Sequence, residues 1–197
     1  GKVVKVHLPI PAKCIQQSNI KLIAFSHEPK HICPEDAPIR TVYFEEKLNE
    51  NVEFFVEYEY DNIAPYCDTY KLIPDAEQPS DFDTQEQSPH IVFTPYIKEL
   101  VKELSAGCAN NLEKARNFYD FVTTRVTYSF MPEYFCLESI AEGCARNLKG
   151  DCGVQALLFI TLCRCAGIPA KWQSGFYSAP GDIGYHDWAQ FYIAPHG

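Results

Sequence analysis

The chain has 197 residues, enough for one large domain or two small ones. Apolar residues make up 46% and charged residues 22%, which allows a sizeable core. The formal net charge is −9, and no cluster of Lys or Arg accompanies it, which argues against nucleic acid and anionic membranes as partners. No apolar run approaches the ~20 residues that cross a bilayer.

The nine cysteines form no CxxC pair, and their odd number leaves at least one unpaired in any monomer. Cys163 and Cys165 lie two residues apart on a predicted helix and point in different directions, so they make a poor metal clip. We therefore expect no metal and no cofactor. Unpaired cysteines with apolar neighbours are typical of a reducing compartment, and this predicts a cytoplasmic protein. Because the chain starts at Gly1 rather than Met, the alternative that processing has removed a signal peptide stays open.

Residues 1–66 are predicted to form an antiparallel β domain, a small sheet or part of a sandwich. Residues 4–8 alternate between apolar and polar side chains, and residues 19–25, 41–44 and 52–60 are rich in β-branched and aromatic residues. Prolines fall between these runs, where loops tolerate them. The domain shows no catalytic constellation, and its histidines are interpreted as surface or loop residues.

Residues 67–92 are predicted to form a linker or excursion, because the stretch is acidic, contains proline and lacks periodicity. Helical periodicity begins after it. Thr94 can cap a helix that has Pro95 at its first position, and a second helix opens at Asn111. Residues 93–197 therefore form the second predicted domain.

A third predicted helix carries the first chemical signal. Asp151 is a good N-cap, Cys152 is the first helical residue, and the apolar residues that follow predict a helix buried in the core. A thiol at a helix N-terminus faces the positive end of the helix dipole, which favours the thiolate. Gly150 and Gly153 allow a substrate to approach, and the Cys152 N–H could donate to an oxyanion.

The second signal is a histidine at the start of a strand. A turn over residues 179–184 leads into a predicted strand that opens with His186. Side chains alternate between the faces of a strand, so His186 and Trp188 share one face and Asp187 lies on the other. From this alternation we expect Asp187 to point away from the nucleophile that His186 would serve.

Three stretches together resemble the active-site core of the transglutaminase-like superfamily, a group of papain-like cysteine enzymes. They are Gly-Asp-Cys-Gly at 150–153, Leu-Cys-Arg-Cys-Ala-Gly-Ile-Pro-Ala at 162–170 and His-Asp-Trp-Ala-Gln-Phe-Tyr at 186–192. The resemblance implies an α+β chain in which a transglutaminase-like core over 93–197 follows an N-terminal antiparallel β domain. Related bacterial proteins often place a β domain before this core.

The resemblance also implies the roles of two residues. Cys152 would be the nucleophile that attacks an amide carbonyl, and His186 its general base and later general acid. The Asp that orients the His in this family lies on the next strand, beyond Gly197. The core is therefore expected to be truncated, with an open sheet edge through which the chain could dimerise.

The predicted reaction is thiol-dependent acyl transfer on an amide bond of a peptide or protein substrate. Hydrolysis of a peptide or isopeptide bond is the first interpretation. Two alternatives stay open: transglutaminase or deamidase action on protein glutamine, and a catalytically silent binding module. Three further residues are candidates either for the substrate pocket or for packing, namely Tyr134, Gln155 and Trp172.

Overall fold

The computed structural model describes residues 1–71 and 83–196, and the chain divides into two compact units, Gly1–Thr69 and Tyr70–Gly197. The first unit is built from strands, and the second combines helices with short sheets. This mixture confirms the predicted α+β class.

The first unit contains two small antiparallel sheets. Its strands are β1 (Lys2–Pro9), β2 (Gln17–Phe25), β3 (His31–Ile32), β4 (Thr41–Leu48) and β5 (Val56–Asn62). One sheet has the order β1-β4-β3 and the other pairs β2 with β5. Val42 and Phe44 alternate onto the buried face of β4 and form a core with Ile10. The predicted strand at 52–60 begins only at Val56.

The second unit is built around one buried helix. Its elements in chain order are α1 (Pro95–Leu104), α2 (Asn111–Arg125), β6 (Thr127–Tyr128), α3 (Ile140–Asn147), β7 (Lys149–Gly150), α4 (Cys152–Cys165), β8 (Ala170–Ala179) and β9 (Asp182–Phe191). The helix α4 is apolar nearly all round, and the other three helices and the β8–β9 hairpin pack against it. No helix among residues 1–71 and 83–196 combines the length and apolarity needed to cross a bilayer.

Polar side chains fix where the helices begin. Thr94 Oγ1 accepts a hydrogen bond from the Ile97 N–H at 3.2 Å at the start of α1, as its position before Pro95 predicts. Asn110 Oδ1 does the same for Glu113 at 2.9 Å at the start of α2.

Residues 83–92 of the segment predicted as linker or excursion pack into the second unit. Ile91 is 4% exposed and belongs to the core. Asp83 accepts a hydrogen bond from the buried Arg164 at 3.1 Å. Residues 72–82 of the predicted segment lie outside the described residues.

Two sheet pairings place the elements next to the start of α4. The strands β6 and β7 pair in parallel, and the Ser129 N–H donates to the Gly150 carbonyl at 3.1 Å. The strands β8 and β9 form an antiparallel hairpin in which His186 is opposite Gly175. The hairpin packs on α4 through Phe191, whose ring centroid is 5.7 Å from that of Phe159.

Candidate active site

Cys152 is the first residue of α4 and is half-buried. The Asp151 carboxylate before it accepts hydrogen bonds from the Val154 N–H at 2.9 Å and from the Tyr134 hydroxyl at 2.6 Å. The helix therefore has the N-cap that the sequence predicts, and the thiol lies in the field of the helix N-terminus.

One side chain forms a hydrogen bond with the Cys152 thiol, whose Sγ donates to Asp187 Oδ2 at 3.9 Å. Partial desolvation, followed by its interaction with Cys152, raises the pKa of Tyr128 above its ordinary value. The thiol therefore has a carboxyl group as its hydrogen-bond acceptor and a phenol nearby.

The position of Asp187 corrects one prediction from the sequence. The alternation along β9 is as expected, but the face that meets α4 carries Asp187, Ala189 and Phe191. The expectation that Asp187 points away from the nucleophile is therefore wrong.

The environment of Asp187 shifts its titration upwards. Burial raises the pKa of its carboxyl group, and the negative charge of Asp151 adds to the shift. A hydrogen bond from Ser174 opposes the shift. Ser174 Oγ in turn accepts a hydrogen bond from Trp172 Nε1 at 2.9 Å, so the carboxyl group belongs to a chain of polar contacts along β8.

His186 lies beside this arrangement rather than within it. Its side chain is exposed, and its ring stands edge-on to that of Tyr177 with the centroids 6.3 Å apart. Among the described residues, the hydrogen-bonding partner of the Cys152 thiol is Asp187, and the imidazole of His186 does not bond to it. The pairing of Cys152 with His186 stays a prediction.

The three residues predicted for pocket or packing surround the first turn of α4. Tyr134 and Trp172 pack so closely over Gly153 that a Cβ at this position would lie 2.8 Å from Trp172 Cη2. Gln155 Nε2 donates to the Gly150 carbonyl at 2.9 Å and fixes the loop before Cys152. Two aromatic rings and one amide therefore hold the backbone around Cys152 in place.

The sequence does not indicate Tyr128, and the orientation expected for Asp187 is wrong. Tyr128 comes near Cys152 because β6 pairs in parallel with β7, and a pairing of two residues leaves no periodic signal in the sequence. Asp187 shares its face of β9 with Ala189 and Phe191, and their contacts with the core and α4 depend on how the hairpin docks on the helix. Among residues 1–71 and 83–196, no group of three or more His, Cys, Asp or Glu side chains could hold a metal ion.

Comparison with known proteins gives the family of this site. The family model of the transglutaminase-like superfamily matches residues 98–197, which include α4, β8 and β9. The chain belongs to the transglutaminase-like superfamily. No curated protein matches it.

Two solved structures are similar to the chain. One is described as a putative cysteine protease from Cytophaga hutchinsonii, with a TM-score of 0.65, 16% identity, and coverage of 98% of this chain and 68% of that one. The other is described as a putative protease from Parabacteroides distasonis, with a TM-score of 0.41, 14% identity, and coverage of 98% and 38%. At these identities the first similarity supports the fold alone.

Proposed function

We propose that the chain catalyses thiol-dependent acyl transfer on amide bonds, with Cys152 as the nucleophile and a peptide or protein as the substrate. The observation that carries the proposal is the half-buried Cys152 thiol at the capped N-terminus of α4. A helix N-terminus attracts negative charge, and an N–H group of the first turn that the Asp151 cap does not occupy can stabilise an oxyanion.

The reaction follows from this placement. The Cys152 sulfur attacks the amide carbonyl carbon, and the carbonyl oxygen takes the negative charge next to the helix N-terminus. The C–N bond then breaks, and the nitrogen leaves as an amine after receiving the proton that the base took from the thiol. Water attacks the resulting thioester, releases a carboxylic acid and restores the thiol.

His186 is the base we assign, on the family resemblance of its motif. Since His186 and Asp187 lie on opposite faces of β9, a direct proton transfer from Cys152 to the imidazole requires a local change in the backbone of β9. Catalytic contacts are often long before substrate binds and tighten in the complex.

A second candidate function has one observation in its favour. Because a carboxylate rather than an imidazole is next to the thiol, the site could bind a peptide without cleaving it. A nearby negative charge opposes thiolate formation, whereas an imidazolium would promote it.

One experiment separates the two candidates. The chain is incubated with a pool of peptides in hydroxylamine, which converts any acyl-enzyme into a hydroxamate that mass spectrometry detects. We expect hydroxamates and hydrolysed peptides from the parent chain and none from Cys152→Ala. Cys136→Ala, which removes an exposed thiol, is the matched control. No product from a folded chain with an intact Cys152 thiol would support the binding module, and transfer to added amines would favour the transglutaminase reaction.

A further inference from the structure

A cavity of about 400 Å³ is lined by residues of α3 and of the segments around β6 and β7, and its volume is within the size range of small-ligand sites. Its wall combines apolar side chains with a few polar ones. The lining residues are Ser129, Phe130, Met131, Leu137, Ser139, Ile140, Gly143, Cys144, Asn147 and Lys149.

The chain connects this cavity directly to the candidate active site. Ser129 lines the cavity, and its neighbour Tyr128 is close enough to Cys152 for that residue to contribute to the raised pKa of the phenol. On the opposite strand, Lys149 also lines the cavity and precedes Gly150, whose carbonyl accepts from the Ser129 N–H. A peptide with its amide at Cys152 could therefore place a neighbouring side chain in the cavity.

The lining indicates what kind of side chain this would be. Phe130 lines the cavity and is 91% exposed. Its apolar ring is in contact with water, and a bound side chain could cover it. Phe135, close by in the chain, is 86% exposed. The lining contains no carboxylate, and its charged residue is Lys149.

We propose that this cavity is a substrate subsite that takes an aliphatic or aromatic side chain of the peptide whose amide Cys152 attacks. The inference rests on the proposed function for its substrate class. The apolar lining of the cavity is the reason for expecting an aliphatic or aromatic side chain. With this subsite, the enzyme would select peptides that carry an apolar residue near the bond that Cys152 attacks.

Gly143 on α3 provides a way to fill the cavity without damaging the fold. It lines the cavity, and a Cβ at this position would meet no atom within 4 Å. Gly143→Leu therefore adds a side chain into the cavity while leaving Cys152 and its hydrogen-bonding partner in place. Lys102→Leu adds the same side chain on the exposed surface of α1 and is the control.

The test measures how fast Cys152 is alkylated by acetylated dipeptidyl chloromethyl ketones that carry Phe, Leu, Gly or Asp at one of the two positions before the ketone. We expect the Phe or Leu probes to react at least about tenfold faster than the Gly probe, since filling an apolar pocket is worth ~1–3 kcal/mol. Gly143→Leu should remove this preference and leave the rate with iodoacetamide unchanged.

Equal rates for the Phe and Gly probes, or a preference that survives in Gly143→Leu, would overturn the subsite. Either result leaves the proposed function standing if the hydroxylamine experiment yields products. Conversely, a Phe or Leu preference in a chain that forms no hydroxamate supports the subsite and contradicts catalysis.

Discussion

The Cys152 thiol and the Asp187 carboxyl group face each other across the gap between α4 and β9, with 3.9 Å between Sγ and Oδ2. Two effects oppose each other at this thiol. The N-terminus of α4 attracts negative charge at this position, whereas an ionised Asp187 repels it. The reactivity of Cys152 therefore depends on the charge of Asp187.

Asp187→Asn should increase the reactivity of Cys152. The amide keeps the size of the side chain but carries no charge, so the thiolate loses a repulsive neighbour. We expect iodoacetamide to alkylate Cys152 several-fold faster at pH 7, up to about tenfold if the change is near 1.4 kcal/mol. Peptide mapping over a time course measures the rate, and Asp182→Asn, on the same strand, is the control. An unchanged or lower rate would show that the carboxylate does not restrain the thiol.

Asp187 should also make folding stability depend on pH. Its folded-state pKa is raised above the ordinary value of 3.8, so the native state holds this proton more tightly than the unfolded state does. The associated stability is fully present below pH 3.8 and is lost as the pH rises through the folded-state pKa. Urea unfolding of the parent chain and of Asp187→Asn between pH 3.5 and about 7 measures this effect. As the pH rises, the parent chain should lose stability relative to Asp187→Asn. A difference in unfolding free energy that stays constant with pH would contradict the raised pKa of Asp187.

The sequence predicts the parts of this fold that depend on local chemistry. The caps at Thr94 and Asp151 are predictable because a short polar side chain before an apolar run satisfies free helix N–H groups. The buried α4 follows from its apolar composition. Alternation along β9 also follows from the sequence.

Packing between elements could not be predicted in the same way. Alternation separates His186 from Asp187 but does not say which of them meets α4, because that depends on how the hairpin docks on the helix. The docking brings Asp187 to the thiol. Tyr128 comes near Cys152 through a parallel pairing between segments that are distant in the sequence. Tertiary contacts of this kind carry no sequence period.

Gly153→Ala should destabilise the second unit. The new methyl group would lie 2.8 Å from Trp172 Cη2 and would also collide with the Tyr134 hydroxyl. Overpacking of this kind costs ~1–3 kcal/mol. We expect urea unfolding to show a free energy of unfolding that is lower by this amount than that of the parent chain. Gly143→Ala is the matched control, because its methyl group meets open space in α3 and should leave stability unchanged or raise it by up to ~1 kcal/mol. Equal stabilities of the two variants would argue against the tight packing over Gly153.

The buried cysteines should resist alkylation in the folded protein. Burial raises the pKa of Cys144 to about 12, and it raises the pKa of the fully buried Cys163 as well. Because the thiolate is the reacting form, both should remain unlabelled during a short iodoacetamide treatment at pH 7 that labels Cys152. Mapping in 8 M urea is the control, and there all nine cysteines should react. Early labelling of Cys163 without urea would show that α4 is not buried as described.

Arg164 should be the most sensitive polar residue of α4 to substitution. Its side chain is 7% exposed, and it donates to the Ala170 carbonyl at 2.7 Å and to the Gln85 carbonyl at 3.1 Å, besides its ion pair with Asp83. These bonds attach α4 to the start of β8 and to residues 83–92. Arg164→Met fills similar space but leaves two carbonyl groups and one carboxylate without this donor.

We expect Arg164→Met to lower the free energy of unfolding by about 3 kcal/mol, as for other broken buried ion pairs. Arg164→Lys should recover only part of the loss, because an ammonium group cannot reproduce the planar fork of donors that reaches three oxygen atoms. Asp83→Asn removes the charge and keeps both carbonyl bonds, so its loss should be the smallest of the three. Urea unfolding monitored by tryptophan fluorescence gives the order, with Arg146→Met on the exposed face of α3 as the control. A loss below ~1 kcal/mol for Arg164→Met would mean that the three bonds contribute little net stability, because solvent replaces them when they are removed.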